Sequence, residues 1–407
     1  MKKNTFPKSV ALRVAALLQA LLLTLSLCAC KVIDEEERRN ESDTVVITPG
    51  MTEDADAPNG EQDERSAIKN VILIIGDGMG LEHISAAQMC TGAQFAFTEW
   101  QYFSVNTDSV NADGTGAILT DSAASGTALA TGCLTVNGYV GKNTAGVDVP
   151  TVMDAARQLG KATGIVTTDS LYGATPAAFS AHAMSRSDYA EIVASQLSSG
   201  VDLLCGDADA LCIGQKEAIE AAGYRYCDTL AAATESTNAL RAYWQLSLGG
   251  TQASVKLSEA TAMALDFLSR DEDGFCLMIE QAHIDKYSHS NSFSEVVECV
   301  SDLNDTVNAV LAWLGDRTDT AIIVTADHET GGLSVSEQNR FAASFAGEKG
   351  SVYYEFSSRD HTNAYVGAFV FGVAVKPAKY SYGSPSLIKN ADVYYVVCDI
   401  MNGQWES

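Results

Sequence analysis

Short apolar runs alternate with amphipathic stretches from Lys69 onward, and this alternation limits the folds open to the chain more than any other feature. The runs are Val71–Ile75, Thr163–Thr167, Val201–Cys205, Phe275–Ile279, Thr320–Thr325 and Gly367–Phe371. Continuous runs of this length are typical of strands buried on both faces. Amphipathic, helix-like stretches such as Val152–Leu159, Ser258–Leu268 and Ser294–Leu314 lie between them. The alternation predicts an α/β fold with a mostly parallel central sheet and helices on both faces.

The first 66 residues do not share this pattern. Residues 1–29 combine a basic start with an apolar run from Val14 to Leu27, which predicts a signal peptide rather than a membrane span. The tetrad Leu27-Cys28-Ala29-Cys30 resembles a bacterial lipobox, in which lipid is attached to the cysteine that begins the mature chain. An ordinary signal peptide cut near Ala29 is the alternative. We therefore expect an exported protein, anchored by lipid on Cys30 to the outer face of the membrane or in the periplasm.

Residues 30–66 are polar and acidic, which predicts a disordered tether ahead of a folded domain spanning 67–407. The whole chain carries a formal net charge of -26. Nucleic-acid binding requires a basic patch, and the sequence has none, so we expect no nucleic-acid partner.

Carboxylates and imidazoles cluster at the ends of the predicted strands, where ligands bind in open α/β sheets. They are Asp77, Glu280, Asp285, His289, Asp327, His328 and His361. Asp285 and His289 are four residues apart, so on a helix they share one face. Acids and histidines that converge at one sheet edge are typical ligands of divalent metals.

Ser122 lies in Thr120-Asp121-Ser122-Ala123-Ala124-Ser125-Gly126, a segment of small residues that predicts a helix start. Asp121 and Ser122 are good N-caps, which is the structural interpretation. The functional interpretation places the Ser122 hydroxyl at the positive end of a helix, where anions bind. No G-x-S-x-G motif surrounds it, so activation by metal is favoured over a hydrolase triad.

These motifs resemble the alkaline phosphatase family from about Asn70 to the C-terminus. In family order they are Gly76-Asp77-Gly78-Met79-Gly80, the segment around Ser122, Ala174-Thr175-Pro176-Ala177-Ala178 with Ser185-Arg186, Glu280 to His289, Thr325 to Gly332, and His361-Thr362. The resemblance implies an alkaline-phosphatase-like catalytic domain over 67–407. It also implies hydrolysis of small phosphate monoesters through a phosphoserine, and a homodimer, because family members are commonly dimers.

The resemblance also implies a role for each matching residue. One Zn²⁺ ion would be held by Asp285, His289 and His361. A second Zn²⁺ would be held by Asp77, Asp327 and His328. One Mg²⁺ would be held by Asp77, Thr175 and Glu280. Ser122 would be the nucleophile, Arg186 would bind the nonbridging phosphate oxygens, and Asp121 would position Arg186.

The sequence departs from the family pattern in two places. Gly173 stands where the family usually has Asp or His beside the third metal, so water or another group must complete that shell. Lys286, next to Asp285, is expected to reach the phosphate through water and to compensate in part. The segment between Gly332 and His361 is short, which predicts an open site without a large crown-like insertion.

Two other functions fit parts of the pattern. A phosphodiesterase of the same superfamily would share the metal ligands, but Arg186 favours monoesters because a diester has fewer free oxygens. A catalytically inactive surface-binding lipoprotein would be expected to have lost some of the ligands, whereas all of them and Ser122 are present.

Overall fold

The computed structural model describes residues 68–338, 346–381, 384 and 386–405. The predicted signal peptide (1–29) and acidic tether (30–66), which includes Cys30, lie outside the described residues. Within the described ranges, no helix combines the length and apolar character needed to cross a membrane.

The predicted mostly parallel sheet is confirmed. The strands are β1 (Asn70–Gly76), β2 (Gln101–Asn106), β3 (Ala162–Thr167), β4 (Leu203–Asp207), β5 (Arg225–Cys227), β6 (Ala242–Leu246), β7 (Phe275–Gln281), β8 (Thr320–Thr325), β9 (Glu329–Thr330), β10 (Leu333–Ser336), β11 (Ala346–Lys349), β12 (Val352–Phe356), β13 (His361–Thr362), β14 (Val366–Phe371) and β15 (Leu387–Lys389). Ten of these described strands form one sheet in the order β15-β2-β14-β8-β1-β7-β3-β4-β6-β5. Every pairing in it is parallel except those of β14 with β2 and β8.

Helices cover both faces of this sheet. The α-helices of the described ranges are Leu81–Thr91, Ser122–Thr131, Val152–Gln158, Ala174–Ser180, Tyr189–Ser199, Ala210–Ile213, Lys216–Ala221, Leu230–Glu235, Leu257–Leu268, His283–His289, Phe293–Leu314, Pro377–Tyr380 and Asn390–Met401. Short 3-10 helices span Ala96–Glu99 and Ser236–Asn238. Phe293–Leu314 packs against Leu257–Leu268 and Leu81–Thr91, and Asn390–Met401 packs against Ser122–Thr131 and Val152–Gln158.

The core lies where the predicted runs place it. Every residue of β1, β7 and β8 is buried, as expected for strands covered on both faces. One boundary was wrong: the run predicted at Val201–Cys205 forms a strand only from Leu203. The Asp202 carboxylate accepts the backbone N–H of Thr163 at 2.9 Å, so a side chain occupies the pairing position just before the strand.

Two small sheets are formed by strands that follow β8 in the sequence. β13 pairs antiparallel with β9, which sets His361 opposite Thr330. β10, β12 and β11 form a three-stranded sheet in the segment predicted to be short, of which residues 339–345 lie outside the described ranges.

Candidate active site

The register of three neighbouring strands brings the predicted ligands together. β1 lies between β7 and β8, with Ile75 opposite both Glu280 and Thr325. The chain therefore leaves β1 toward Asp77, and leaves β8 toward Asp327, at the level of Glu280. This is the carboxyl edge of the parallel sheet, where sites of such folds form.

Asp285, His289 and His361 form the first cluster. The Asp285 Oδ1 lies 3.2 Å from His289 Nε2 and 3.4 Å from His361 Nε2. Asp285 and His289 lie on the helix His283–His289, one turn apart as predicted, and His361 comes from β13. Their ligand atoms all lie within 4.8 Å of one another, which is close enough for one metal ion to contact all three.

Backbone carbonyls orient the two imidazoles of this cluster. The Nδ1 of His361 donates to the Thr120 carbonyl at 2.8 Å, and the Nδ1 of His289 donates to the Arg359 carbonyl. A carbonyl only accepts, so these bonds place the proton on Nδ1 and leave Nε2 turned toward Asp285. This is how proteins fix the tautomer of histidines that bind metals.

Asp77, His328 and Asp327 form the second cluster, around the nucleophile candidate. The His328 Nε2 lies 3.5 Å from Asp77 Oδ1, 3.3 Å from Asp327 Oδ2 and 3.2 Å from the Ser122 Oγ. The ligand atoms of Asp77 and His328 also lie within 4.8 Å of one from Asp285, so Asp285 links the two clusters. One ring nitrogen cannot satisfy three oxygens, so a cation fits this place better than a proton.

Unsatisfied buried oxygens support the same conclusion. Asp77 Oδ1, Asp327 Oδ2 and Thr175 Oγ1 are buried and have no hydrogen-bond partner within the described residues. The other Asp327 oxygen accepts the backbone N–H groups of Gly78 at 3.0 Å and His328 at 2.9 Å, so the carboxylate is held with Oδ2 free. Buried polar atoms without partners are rare in proteins and often mark an ion site.

Local packing explains why Ser122 and Thr175 lie at the site. Ser122 begins a helix whose N-cap, Asp121, accepts the N–H of Ala124 at 2.9 Å. A Cβ at Gly126 in this helix would lie 3.3 Å from the Thr175 Cα, so the absence of a side chain at Gly126 helps the two helices to approach closely. Ser122 is 4% exposed, in a helix that is buried throughout.

Glu280 completes a third group of oxygens with Asp77 and Thr175. Burial raises the pKa of Glu280 to about 8, and the charge of Asp169 contributes further. Burial also raises the pKa of Asp77, together with the charges of Asp327 and Asp285. The Thr175 hydroxyl lies beside Glu280, whose pKa it lowers. Without cations these acids resist ionising together, so the group fits a hard cation that prefers oxygen ligands, such as Mg²⁺.

The pKa values of His289, Asp285 and His328 shift in different directions. The hydrogen bond to Asp285 raises the pKa of His289 to about 9. Burial opposes the ionisation of Asp285, but hydrogen bonds from His289 and His361 hold its pKa below the usual range. Burial lowers the pKa of His328, which favours the neutral imidazole that binds metals.

Arg186 and Asp121 lie together at the mouth of the site. The Arg186 Nη1 lies 3.3 Å from Asp121 Oδ2, and the same oxygen accepts the N–H of Gly138 at 3.0 Å. The Arg186 side chain is 40% exposed, and its charge lowers the pKa of Asp77. Asp121 thus holds Arg186 within electrostatic reach of the second cluster while one side of the guanidinium stays open to a ligand.

Two residues at the site were missed by the sequence reasoning. The Thr330 Oγ1 donates to Asp285 Oδ1 at 2.6 Å and lies 3.2 Å from His328 Nδ1, so it contacts both clusters. The Asp169 carboxylate pairs with the Lys286 ammonium at 2.6 Å. Asp169 follows the run Thr163–Thr167 by two residues, so the rule of inspecting polar residues after each run would have found it.

Comparison with known proteins gives a consistent result. The family model described as alkaline phosphatase matches residues 68–217 and 244–379. Alkaline phosphatase 4 of Bacillus subtilis is 30% identical over 71% of this chain and 68% of that relative. The alkaline phosphatase of Escherichia coli K12 is 30% identical over 64% of this chain and 70% of its own length. A mutant alkaline phosphatase of the Antarctic bacterium TAB5, with Mg bound in its M3 site, is 25% identical with a TM-score of 0.70, over 84% of this chain and 99% of that structure.

Proposed function

This chain belongs to the alkaline phosphatase family, and on that premise we propose that it hydrolyses phosphate monoesters through a phosphoserine formed on Ser122. One observation carries the proposal. The Ser122 Oγ lies 3.2 Å from the His328 Nε2, at a point where buried oxygens of Asp77 and Asp327 have no hydrogen-bond partner among the described residues. A metal held by these oxygens and by the His328 Nε2 would activate the Ser122 hydroxyl, and His328 would then serve as a metal ligand and not as a base.

The clusters support the following metal assignments. One Zn²⁺ would be held by Asp285, His289 and His361, a second by Asp77, Asp327 and His328, and an Mg²⁺ by Asp77, Thr175 and Glu280. When bound, paired metals of this kind lower the pKa of the attacking hydroxyl and stabilise charge on the leaving oxygen. The nitrogen-containing sets suit zinc, and the all-oxygen set suits magnesium.

The residues of the chain then determine the course of the reaction. The phosphate sits at the positive end of the helix that begins at Ser122. The Ser122 Oγ forms a bond to phosphorus, its proton passes to solvent, and the bond from phosphorus to the ester oxygen breaks. The alcohol leaves after taking up a proton. Water then attacks the phosphoserine from the opposite side, which releases inorganic phosphate and restores the Ser122 hydroxyl.

Arg186 is proposed to select the class of ester. A planar guanidinium can bind two nonbridging oxygens at once, and Asp121 holds it from behind at 3.3 Å. A monoester offers three nonbridging oxygens, whereas a diester offers two and carries a second organic group. We propose on this basis that monoesters are the substrates, in preference to the phosphodiesterase alternative. Lys286, which lies beside the acids of the third group, is proposed to reach the phosphate through water.

The remaining proposals concern where the protein resides and how it assembles. We propose that the chain is exported, that lipid on Cys30 anchors it to the membrane, and that it forms a homodimer. The lipobox-like tetrad ending at Cys30 supports the anchor, and the family resemblance supports the dimer. Light scattering of the protein without detergent would test the homodimer, which predicts twice the mass of one chain.

The test of the activity compares p-nitrophenyl phosphate with bis-p-nitrophenyl phosphate, using folded protein supplied with zinc and magnesium. We expect a kcat/KM far higher for the monoester. A higher value for the diester would support the phosphodiesterase alternative. No turnover of either ester by a folded, metal-loaded sample would leave only the inactive surface-binding lipoprotein.

A further inference from the structure

The space beside Gly173 is filled by another residue of the same loop. A Cβ built on Gly173 would lie 2.6 Å from the Asp169 Oδ2 and 3.0 Å from the Ser170 carbonyl oxygen. The backbone of Gly173, with φ -54° and ψ 155°, is open to any residue, so the conformation does not require glycine here. A side chain at this position would collide with the Asp169 carboxylate and press against the Ser170 carbonyl.

Asp169 is held in this place from two sides. Its Oδ1 accepts the Lys286 ammonium at 2.6 Å and the backbone N–H of Ser170 at 2.8 Å. The backbone N–H of Asp169 donates to the Thr167 Oγ1 at 2.9 Å, which ties the start of the loop to the end of β3. No hydrogen bond to Oδ2 is found within the described part of the chain. One oxygen of the carboxylate is therefore fixed, and the other remains available.

Asp169 lies near the third group of ligands, because the Thr167 hydroxyl that accepts the Asp169 backbone N–H also donates to the Glu280 Oε2. The charge of Asp169 also raises the pKa of the buried Glu280 carboxyl. The charges of Glu280 and Asp77 also raise the pKa of Lys286, the ion-pair partner of Asp169, so the pair lies at the edge of that group. Thr175 is 1% exposed, and its Oγ1 has no hydrogen-bond partner in the described part of the chain, which is a second sign that a ligand belongs here.

We propose that Asp169 supplies, from a different position, the carboxylate that Gly173 cannot provide. It acts as a positioning residue that binds the water shell of the third cation, and it holds Lys286 at the edge of the phosphate site. The inference rests on the proposed function for the identity of that cation as Mg²⁺. An Mg²⁺ ion keeps several of its waters, so a carboxylate just outside the protein ligands is a natural partner for it.

Moving the carboxylate between the two positions tests this proposal. Asp169→Ala and Asp169→Asn should weaken Mg²⁺ binding by about 10–100-fold, as outer-shell substitutions do. Asp169→Ala with Gly173→Asp should recover most of the affinity, because the first change clears the space that the second fills. Gly173→Asp alone should be destabilising, since its Cβ meets the retained Asp169 carboxylate.

The measurement is calorimetric titration of Mg²⁺ into the zinc-loaded full chain, with the melting temperature of each variant recorded without Mg²⁺. Asp273→Ala is the matched control. Asp273 is also an aspartate beside a glycine, with its Oδ2 3.2 Å from a Cβ built on Gly160, and it acts on a neighbouring lysine, Lys161. It precedes β7 and so lies at the opposite edge of the sheet.

Unchanged Mg²⁺ affinity in Asp169→Ala would overturn the inference. A double variant that keeps its melting temperature but does not regain Mg²⁺ affinity would overturn it as well. Turnover of p-nitrophenyl phosphate is measured alongside. If the wild type turns over while Asp169 variants bind Mg²⁺ normally, only the role of Asp169 is wrong. If Mg²⁺ affinity depends on Asp169 but the wild type lacks turnover, only the proposed function is wrong.

Discussion

Removing the metals should make the stability of the protein fall as the pH rises above neutrality, and Glu280 should be a main cause. The Glu280 carboxyl is 1% exposed, and burial together with Asp169 raises its pKa from 4.5 to about 8. The folded chain keeps this proton up to about pH 8, whereas the unfolded chain releases it near 4.5. The folded state therefore binds more protons across this interval, and the free energy of unfolding decreases with rising pH.

The informative window lies between pH 6.5 and pH 8. Below 6.5 the buried His83 and His283 act in the opposite sense, because burial lowers their pKa values to about 4 and the unfolded chain takes up their protons first. Above 6.5 the unfolded chain loses these protons as well, so the opposing effect of His83 and His283 fades. His289, with a pKa raised to about 9, loses stabilisation with rising pH and so acts in the same direction as Glu280. At about 1.4 kcal/mol for each pH unit, Glu280 alone contributes about 2 kcal/mol over this window.

The assay is urea unfolding of chelator-treated protein at pH 6.5 and pH 8. The free energy of unfolding of the wild type should fall by about 2 kcal/mol or more, and that of Glu280→Gln by about 2 kcal/mol less. Glu220→Gln, an exposed site on the helix Lys216–Ala221, should behave as the wild type. Saturating zinc and magnesium should reverse the trend, because bound ligands are deprotonated. Equal pH dependence in the wild type and Glu280→Gln would refute the reasoning.

Two further predictions follow from named contacts, and a third follows from the lipobox-like tetrad that ends at Cys30. Arg186→Ala should lower the monoester-to-diester ratio of kcat/KM by roughly 10–100-fold, because a charged bidentate contact is lost. An unchanged ratio would count against the role of Arg186. The control is Arg157→Ala, since the Arg157 side chain is also 40% exposed and paired with an aspartate. Thr330→Val should weaken zinc binding about 10-fold by equilibrium dialysis, whereas Thr306→Val, equally buried, should not. Cys30→Ser should move the protein from the membrane fraction to the soluble fraction, and an unchanged distribution would contradict lipid anchoring.

The fold was predictable because its signal is local and repeated. The run Val71–Ile75 and its counterparts are continuous and apolar, and each becomes a strand of the central sheet. The antiparallel direction of β14 could not be predicted, because an apolar segment carries no information on the direction of its strand in the sheet. Strands with mixed exposure, such as β2 (Gln101–Asn106), lack a continuous apolar run and were not predicted.

The candidate site was predictable where one motif carries both residue type and position. Asp77, the pair Asp285 and His289, and His328 each follow a predicted strand, and the structure brings them to one edge. The carbonyls that orient His289 and His361 belong to residues distant in sequence, and no side-chain pattern marks them. The relation between Asp169 and Gly173 depends on the path of one loop, which only coordinates reveal.

The central claim is tested most directly by trapping the intermediate on Ser122. Metal-loaded protein is mixed with p-nitrophenyl phosphate, quenched in acid and digested, and the peptide that contains Ser122 is analysed by mass spectrometry. We predict phosphate on Ser122 in the wild type, and neither phosphopeptide nor turnover in Ser122→Ala, which should retain its metals. Exposed Ser198→Ala should match the wild type. Turnover of the monoester that persists in Ser122→Ala, or that proceeds in the wild type with phosphate on another residue, would contradict the account.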